Sequence, residues 1–276
     1  MRRTELDPSS SPVAAFGVQL RRSREAKGLS QVRFGRLIGY SDSYLSCIER
    51  AERNPTLVLA QRADAALDTG GTLELMYWNI SHTALFEGFP EYAQQEAGAS
   101  VIRIFELGVV PGLLQTHEYA QALEAGAVAR GSATRQQADE RVAFLLTRQG
   151  SVERRPPPLV HAVLDESCVR SAVGGPAVLA RQLEHLERLA EQPTFIIQIA
   201  PFDLGEGRPF LRPVILLTLR DGTTLGYTET HQRGYLERDI ATVTEWDRDY
   251  DRLQVEALSQ AASLAVIRQA RKELSA

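Results

Sequence analysis

Between Gly28 and Arg50 the chain reads as two very short helices around one glycine. Ser30 stands where a helix opening at Gln31 needs its cap, and Ser41 does the same for a helix opening at Asp42. Gly39 falls where the first helix has to end in a left-handed turn. Phe34 and Ile38 form one apolar pair, Leu45 and Ile48 another, and the small Gly35 lets the two helices approach closely. Two helices crossing at a tight turn require this pattern. Upstream, residues 16–26 form a preceding helix with Leu20 inward. Downstream, Thr56 follows Asn54-Pro55 and starts another, with Leu57, Ala60, Ala63 and Leu67 inward.

The charge is distributed unevenly. Residues 13–62 hold nine Arg or Lys against four Asp or Glu, a net of +5, whereas residues 81–276 hold 20 against 26, a net of -6. A basic head on an acidic body implies an anionic partner for the head alone. Only Lys27 and Lys272 are lysines. Arginine forks suit phosphates and guanine edges. A GC-rich coding bias explains the chain-wide preference for arginine but not its clustering.

The 276 residues suggest two domains. Residues 1–12, rich in serine and proline, read as a flexible arm. Residues 13–71 form the helical head, 72–98 a helical connector, and 99–276 a body of mixed type. In the body, residues 101–105, 159–164, 194–200, 214–219 and 225–230 read as strands, with Asp221-Gly222 as a hairpin signal. Helices are expected over 118–125, 136–149 and 176–191, and the proline run 156–158 is a stiff connector. From Ile240 to Leu274, Val243, Trp246, Tyr250, Leu253, Ala257, Ala261, Leu264 and Ile267 fall close to a heptad, so one or two long helices are expected. They serve either as a dimer surface or as intramolecular core, and the 72–80 helix is a second dimer candidate. The fold class is mainly α with an α+β body: an all-α head, then a mixed domain with a small, largely antiparallel sheet and C-terminal helices. No apolar run is long enough for a membrane span, the N-terminus does not read as a secretory signal, and Cys47 and Cys168 form no CxxC. A cytoplasmic protein is expected.

The segment Leu20-Arg21-Arg22-Ser23-Arg24-Glu25-Ala26-Lys27-Gly28-Leu29-Ser30-Gln31, followed by Ser43-Tyr44-Leu45-Ser46-Cys47-Ile48-Glu49-Arg50, resembles the XRE group of helix-turn-helix regulators, relatives of the lambda repressor. The resemblance implies a lambda-repressor-like head that binds a double-stranded DNA operator, with the protein on the nucleoid when bound. It implies that Gln31 contacts the DNA backbone and supports the base readers. Ser41, Asp42, Ser43, Ser46 and Cys47 lie at the start and on the exposed positions of the recognition helix. Arg50 and Arg53 fall just past that helix, where phosphates are held. Arg24 and Glu49 match a structural salt bridge. Cys47 replaces an arginine common in relatives. Asp42 either accepts from a cytosine amino group or serves the helix N-terminus.

In the body, Val110-Pro111-Gly112-Leu113-Leu114-Gln115-Thr116 with Tyr119-Ala120, Leu164-Asp165-Glu166, Gly174-Gly175 and Gln182-Leu183-Glu184-His185-Leu186 resemble the C-terminal domain of unknown function found behind XRE heads in actinobacterial, WhiJ-like regulators. Members often act with a small acidic partner protein encoded nearby. Arg208-Pro209-Phe210-Leu211-Arg212-Pro213 replaces the usual glycine-rich lead into the sheet. Arg103, Gln115, Thr116 and Glu166 are read either as the polar lining of a ligand or partner site or as ordinary parts of a capped helix and its core.

No enzyme is expected. His82, His117, His161, His185 and His231 form no HExxH and share no metal spacing, Ser167 and Ser171 lack a GxSxG elbow, and no phosphate loop is present. Asp165 and Glu166 point to opposite faces of a strand. Asp247, Asp249 and Asp251 read as a solvated helix face. Catalytic residues, metal and cofactor are therefore each set at none. A single recognition helix reads few base pairs, so a homodimer on two half-sites is expected. Three readings of the body stay open: it receives a partner protein, it receives a small ligand, or the chain is an interaction module whose head no longer binds DNA.

Overall fold

The computed structural model describes residues 6–82, 85, 87–150, 152–230 and 233–274. Residues 1–5 of the expected arm, His231 and the side chain of His82 lie outside the described set. The chain divides into two compact units, Met1–Ala84 and Leu85–Ala276.

The first unit is helical: α1 (Pro12–Ala26), α2 (Gln31–Ile38), α3 (Asp42–Glu49), α4 (Leu57–Leu67) and α5 (Thr72–His82). Ser11, Ser30, Ser41 and Thr56 cap the first four, each side chain accepting from the amide three residues on. Helix α1 thus already begins inside the segment read as an arm, with Pro12 in its first turn. Gly39 ends α2 at φ 80°. A Cβ on Gly35 would stand 2.4 Å from the Tyr40 carbonyl oxygen, so the turn itself lies against α2. A Cβ on Gly17 would meet the Ile48 carbonyl oxygen at 2.6 Å, which puts α1 and α3 in backbone contact. Phe16, Leu20, Phe34, Leu45, Ile48 and Leu59 are fully buried. Leu73 and Ile80 of α5 join that core. Buried Asp64 holds the corner before α5, accepting from the amides of Leu73 and Glu74 at 2.9 and 2.8 Å and from the Thr69 hydroxyl.

The second unit runs α6 (Phe89–Gly98), β1 (Ala99–Glu106), α7 (His117–Ala129), α8 (Arg135–Gln149), β2 (Leu159–Asp165), α9 (Ser167–Arg170), α10 (Pro176–Ala190), β3 (Phe195–Ala200), β4 (Val214–Leu219), β5 (Thr224–Glu229), β6 (Gly234–Glu237), α11 (Ile240–Glu256) and α12 (Gln260–Glu273). The sheet order is β3-β2-β1-β4-β5-β6. Strands β1, β2 and β3 are parallel neighbours, and β4 returns antiparallel to β1 and leads a meander through β5 to β6. Alternation along the strands divides the core. Ile102, Ile104, Ala162, Leu164 and Ile197 share one cluster with Tyr92 of α6, the leucines of α10 and Ile267 of α12. Phe105, Val163 and Leu216 share another with Val243, Tyr250 and Leu253 of α11.

Within the stretch 72–98, which spans the division between the two units, α5 completes the first core and α6 lays fully buried Tyr92 into the second. Of the two readings of the near-heptad residues of α11 and α12, intramolecular core fits Val243, Tyr250, Leu253 and Ile267, which are buried within their own unit. The one-turn α9 and the short β6 carry too few residues to show a period in the sequence.

Candidate functional sites

The first unit presents α3 on a charged anchor. Fully buried Glu49, the last residue of α3, accepts from Arg24 Nε at 2.5 Å and from Arg24 Nη2 at 2.8 Å. Gln31 Nε2 donates to the same carboxylate at 2.7 Å. Arg21 adds a bond to the Glu49 carbonyl oxygen at 3.0 Å, and Arg24 Nη1 donates to the Leu29 carbonyl at 2.7 Å. The expected pair is therefore a junction that ties α1, α2 and α3 together. Hydrogen bonding to Glu49 raises the Arg24 pKa, which keeps the guanidinium charged. Gln31, half-buried, spends its amide group on Glu49, so any contact it makes outside the protein also leans on that junction.

On the outer side of α3, Ser41, Asp42 and Ser43 are exposed, and Ser46 and Cys47 are half-buried. Ser41 is occupied as the cap. Arg50 lies across the end of the helix: Nη1 donates to Ser46 Oγ at 2.6 Å, Nη2 approaches Cys47 Sγ at 3.8 Å, and both Nε and Nη2 pair with Glu52 at 2.7 Å. In this arrangement Arg50 covers Ser46 and Cys47 and is neutralised by Glu52, a partner the sequence reading overlooked. Arg53 lies 4.8 Å over the ring of Tyr44, which stacks on Tyr40 at 5.1 Å. The tyrosines hold that cation beside α3. Ala51 closes the helix at φ 57°, with the Glu52 amide bonded back to the Cys47 carbonyl at 2.9 Å.

The structure does not bring the four candidate residues of the body together. Arg103 points to the α11 side of the sheet, where Asp247 and Asp251 hold it and its guanidinium lies 5.4 Å from the Tyr250 ring. Asp247 and Asp251, expected only as a solvated face, are its clamp. Thr116 caps α7, and its amide binds Gln182 Oε1 at 2.7 Å. Glu166, at the end of β2, accepts from Arg170 at 3.2 Å and from the Phe202 amide at 3.2 Å. Of the four, only Gln115 lines the apolar cavity beside β1, β4 and β5.

That cavity has a volume of about 310 Å³. Phe89, Leu113, Leu123, Val142, Phe144 and Ile215 supply apolar wall. Arg148 and Arg141 also line it, but Arg148 forms a bidentate pair with Glu96 at 2.9 and 2.8 Å, and Arg141 pairs with Glu124 at 3.2 Å. Glu106 and Glu229 complete the polar lining. Loss of water raises the Glu106 pKa to about 8, against the hydrogen bond from the Leu107 amide, and the charge of Glu229 pushes it the same way. No period marks these glutamates in the sequence, because each is the last residue of its strand.

Two capped two-turn helices about a left-handed glycine, with polar residues along the outer edge of the second, define a helix-turn-helix unit. Residues 15–75 match a helix-turn-helix domain model, a kind of domain found in DNA-binding transcriptional regulators. The chain belongs to the family of the domain of unknown function DUF5753, whose model matches residues 89–269. Comparison with curated proteins and with solved structures gives no match. No described helix is long and apolar enough to cross a membrane.

Proposed function

We propose that the chain is a sequence-specific transcriptional regulator of XRE type that binds a double-stranded operator as a homodimer and is controlled through a WhiJ-like body. The observation that carries this reading is the outer edge of α3. Asp42 and Ser43 stand free at the start of a helix whose far end is fixed by a buried three-helix junction. A short, rigidly held polar edge can enter a major groove, and a helix N-terminus suits base and phosphate contacts. Asp42 and Ser43 read bases, Gln31 and Arg53 hold phosphates, and Arg50 joins them by exchanging Glu52 for phosphate. Ser46 and Cys47 become available in the same exchange. Leu75 is exposed on α5, one of the two expected dimer surfaces, and on α11 Ile240 and Val255 stay exposed although Val243, Tyr250 and Leu253 are buried. The protein acts in the cytoplasm, on the nucleoid, where its DNA ligand lies.

The test is replacement of Ser43 by Trp, followed by competition between operator and scrambled DNA. The expected result is loss of operator preference with an unchanged melting temperature. Unchanged preference contradicts the assignment of α3. For the body, the resemblance favours a small acidic partner protein as the signal. The cavity of the second unit supports the other reading, a small ligand.

A further inference from the structure

We propose that the cavity between β1, β4, β5 and the α7–α8 pair is a binding site for a small organic amine with an apolar body, its ammonium group seated between Glu106 and Glu229. The proposal deepens the ligand-responsive reading of the body and rests on the geometry of the second unit alone.

The charge balance of the lining sets the sign of the ligand. Both arginines of the wall are already matched, Arg148 by Glu96 and Arg141 by Glu124. Glu106 accepts a hydrogen bond from the Leu107 amide at 3.0 Å, and Glu229 accepts one from the Tyr227 hydroxyl at 2.8 Å. Among the described residues neither has an ion-pair partner. An anion entering here would meet two carboxylates and no unpaired cation. A cation would complete the set.

Strand register explains why the two carboxylates converge. Phe105 pairs with Val214, and Val214 with Thr228, so Glu106, Pro213 and Glu229 follow at one level across three strands. Residues of one parity share a face, which puts Glu106 and Glu229 on the side of Ile104 and Tyr227. Strands about 4.8 Å apart leave roughly 10 Å between the two backbones, a span that two glutamate side chains close around one ammonium. The opposite wall is apolar and aromatic, with Phe89, Phe144 and Tyr92, and Arg148 already lies over the Phe89 and Tyr92 rings, so this wall receives the apolar body and the carboxylates receive the ammonium. The volume lies at the lower end of small-molecule sites, about 300–1,000 Å³, which excludes a peptide segment of any length.

The raised Glu106 pKa agrees with this geometry. The groups facing Glu106 are Glu229 on β5, Arg148 with Glu96, Arg141 with Glu124, Tyr119 on α7 and Cys168 on α9. A bound ammonium favours the ionised carboxylate, so amine affinity should rise with pH from 6 to 8, by up to about tenfold per unit.

The experiment titrates the full-length chain with sets of arylalkyl amines, alcohols and carboxylic acids on the same carbon skeletons, by calorimetry at pH 8. Amines are expected to bind saturably and at least tenfold tighter than their alcohols, with the acids weakest. Glu106→Gln should remove that tenfold preference while alcohol binding stays. Its melting temperature at pH 8 should be no lower than that of the wild type, which separates lost binding from lost fold. Acids ahead of amines, no saturable binding by any set, or an unchanged amine preference in Glu106→Gln overturns the proposal. The readout uses no DNA, so its failure leaves the function of the first unit standing, and failure of DNA binding leaves the cavity result standing.

Discussion

Removing Arg24 should damage the first unit far more than it damages operator choice directly. Glu49 is fully buried, and two of the three hydrogen bonds to its carboxylate come from Arg24, at 2.5 and 2.8 Å. Arg24→Ala leaves the charge with Gln31 at 2.7 Å and with Arg21, whose Nε is 3.6 Å away. Breaking one side of a buried pair costs about 3–5 kcal/mol. Loss of the Arg24 bond to the Leu29 carbonyl at 2.7 Å adds about 1 kcal/mol. Arg21 is partly exposed and able to swing inward, which brings that sum of about 4–6 kcal/mol down to about 3 kcal/mol. For a unit of this size each kcal/mol shifts the midpoint by about 4–8 °C, so its transition should fall by roughly 12–24 °C. Scanning calorimetry of the full chain measures the shift. Competition binding at a temperature where the variant is still folded measures selectivity. The double variant Arg24→Leu with Glu49→Leu, which leaves no buried charge, should recover most of the loss. A shift below about 3 °C together with lost selectivity would refute the reasoning and put Arg24 on the DNA.

Further outcomes follow from individual contacts. Gly35→Ala drives a Cβ to within 2.4 Å of the Tyr40 carbonyl oxygen and should destabilise the first unit by about 1–3 kcal/mol, read as a lower melting temperature with the second unit unchanged. Ala51→Gly relieves the left-handed residue at φ 57° and should stabilise by about 1 kcal/mol, unless denaturant midpoints fail to move. Glu106 binds its proton more tightly in the folded protein, with its pKa raised from 4.5 to about 8. Its neutral form therefore favours folding at low pH, and that benefit is lost as pH rises through this window. Glu106→Gln should flatten the fall in stability between pH 5 and 9, by at most about 5 kcal/mol, whereas parallel wild-type and variant curves contradict the shift.

What the sequence reveals here follows the range of each interaction. The capping serines, the Gly39 turn and the apolar positions of α2 and α3 are local, and all of them are readable from spacing. The hairpin at Asp221-Gly222 is equally local and equally readable. Long-range registration is another matter. Nothing in the spacing of β1, β2 and β3 says that they are parallel neighbours, and nothing in Glu106 or Glu229 says that β4 brings them onto one face. The heptad of the last helices is a true apolar stripe, but a stripe does not name its partner, and the sheet is the partner. On the outer edge of α3, Arg50 reads as a phosphate ligand until Glu52 is seen gripping it from two residues on. Arg103 reads as pocket lining because a strand's two faces look alike until the helices that cover them are placed.

If α3 reads DNA, operator binding depends on salt. Full-length protein is titrated with DNA fragments from a selected random pool at several salt concentrations, against a scrambled competitor. Specific binding is expected with a log–log salt slope steeper than about -3, from arginine contacts to several phosphates, and Ser43→Trp is expected to lose specificity while keeping this slope. Salt-independent binding, or none to any selected fragment, would contradict a DNA-reading α3.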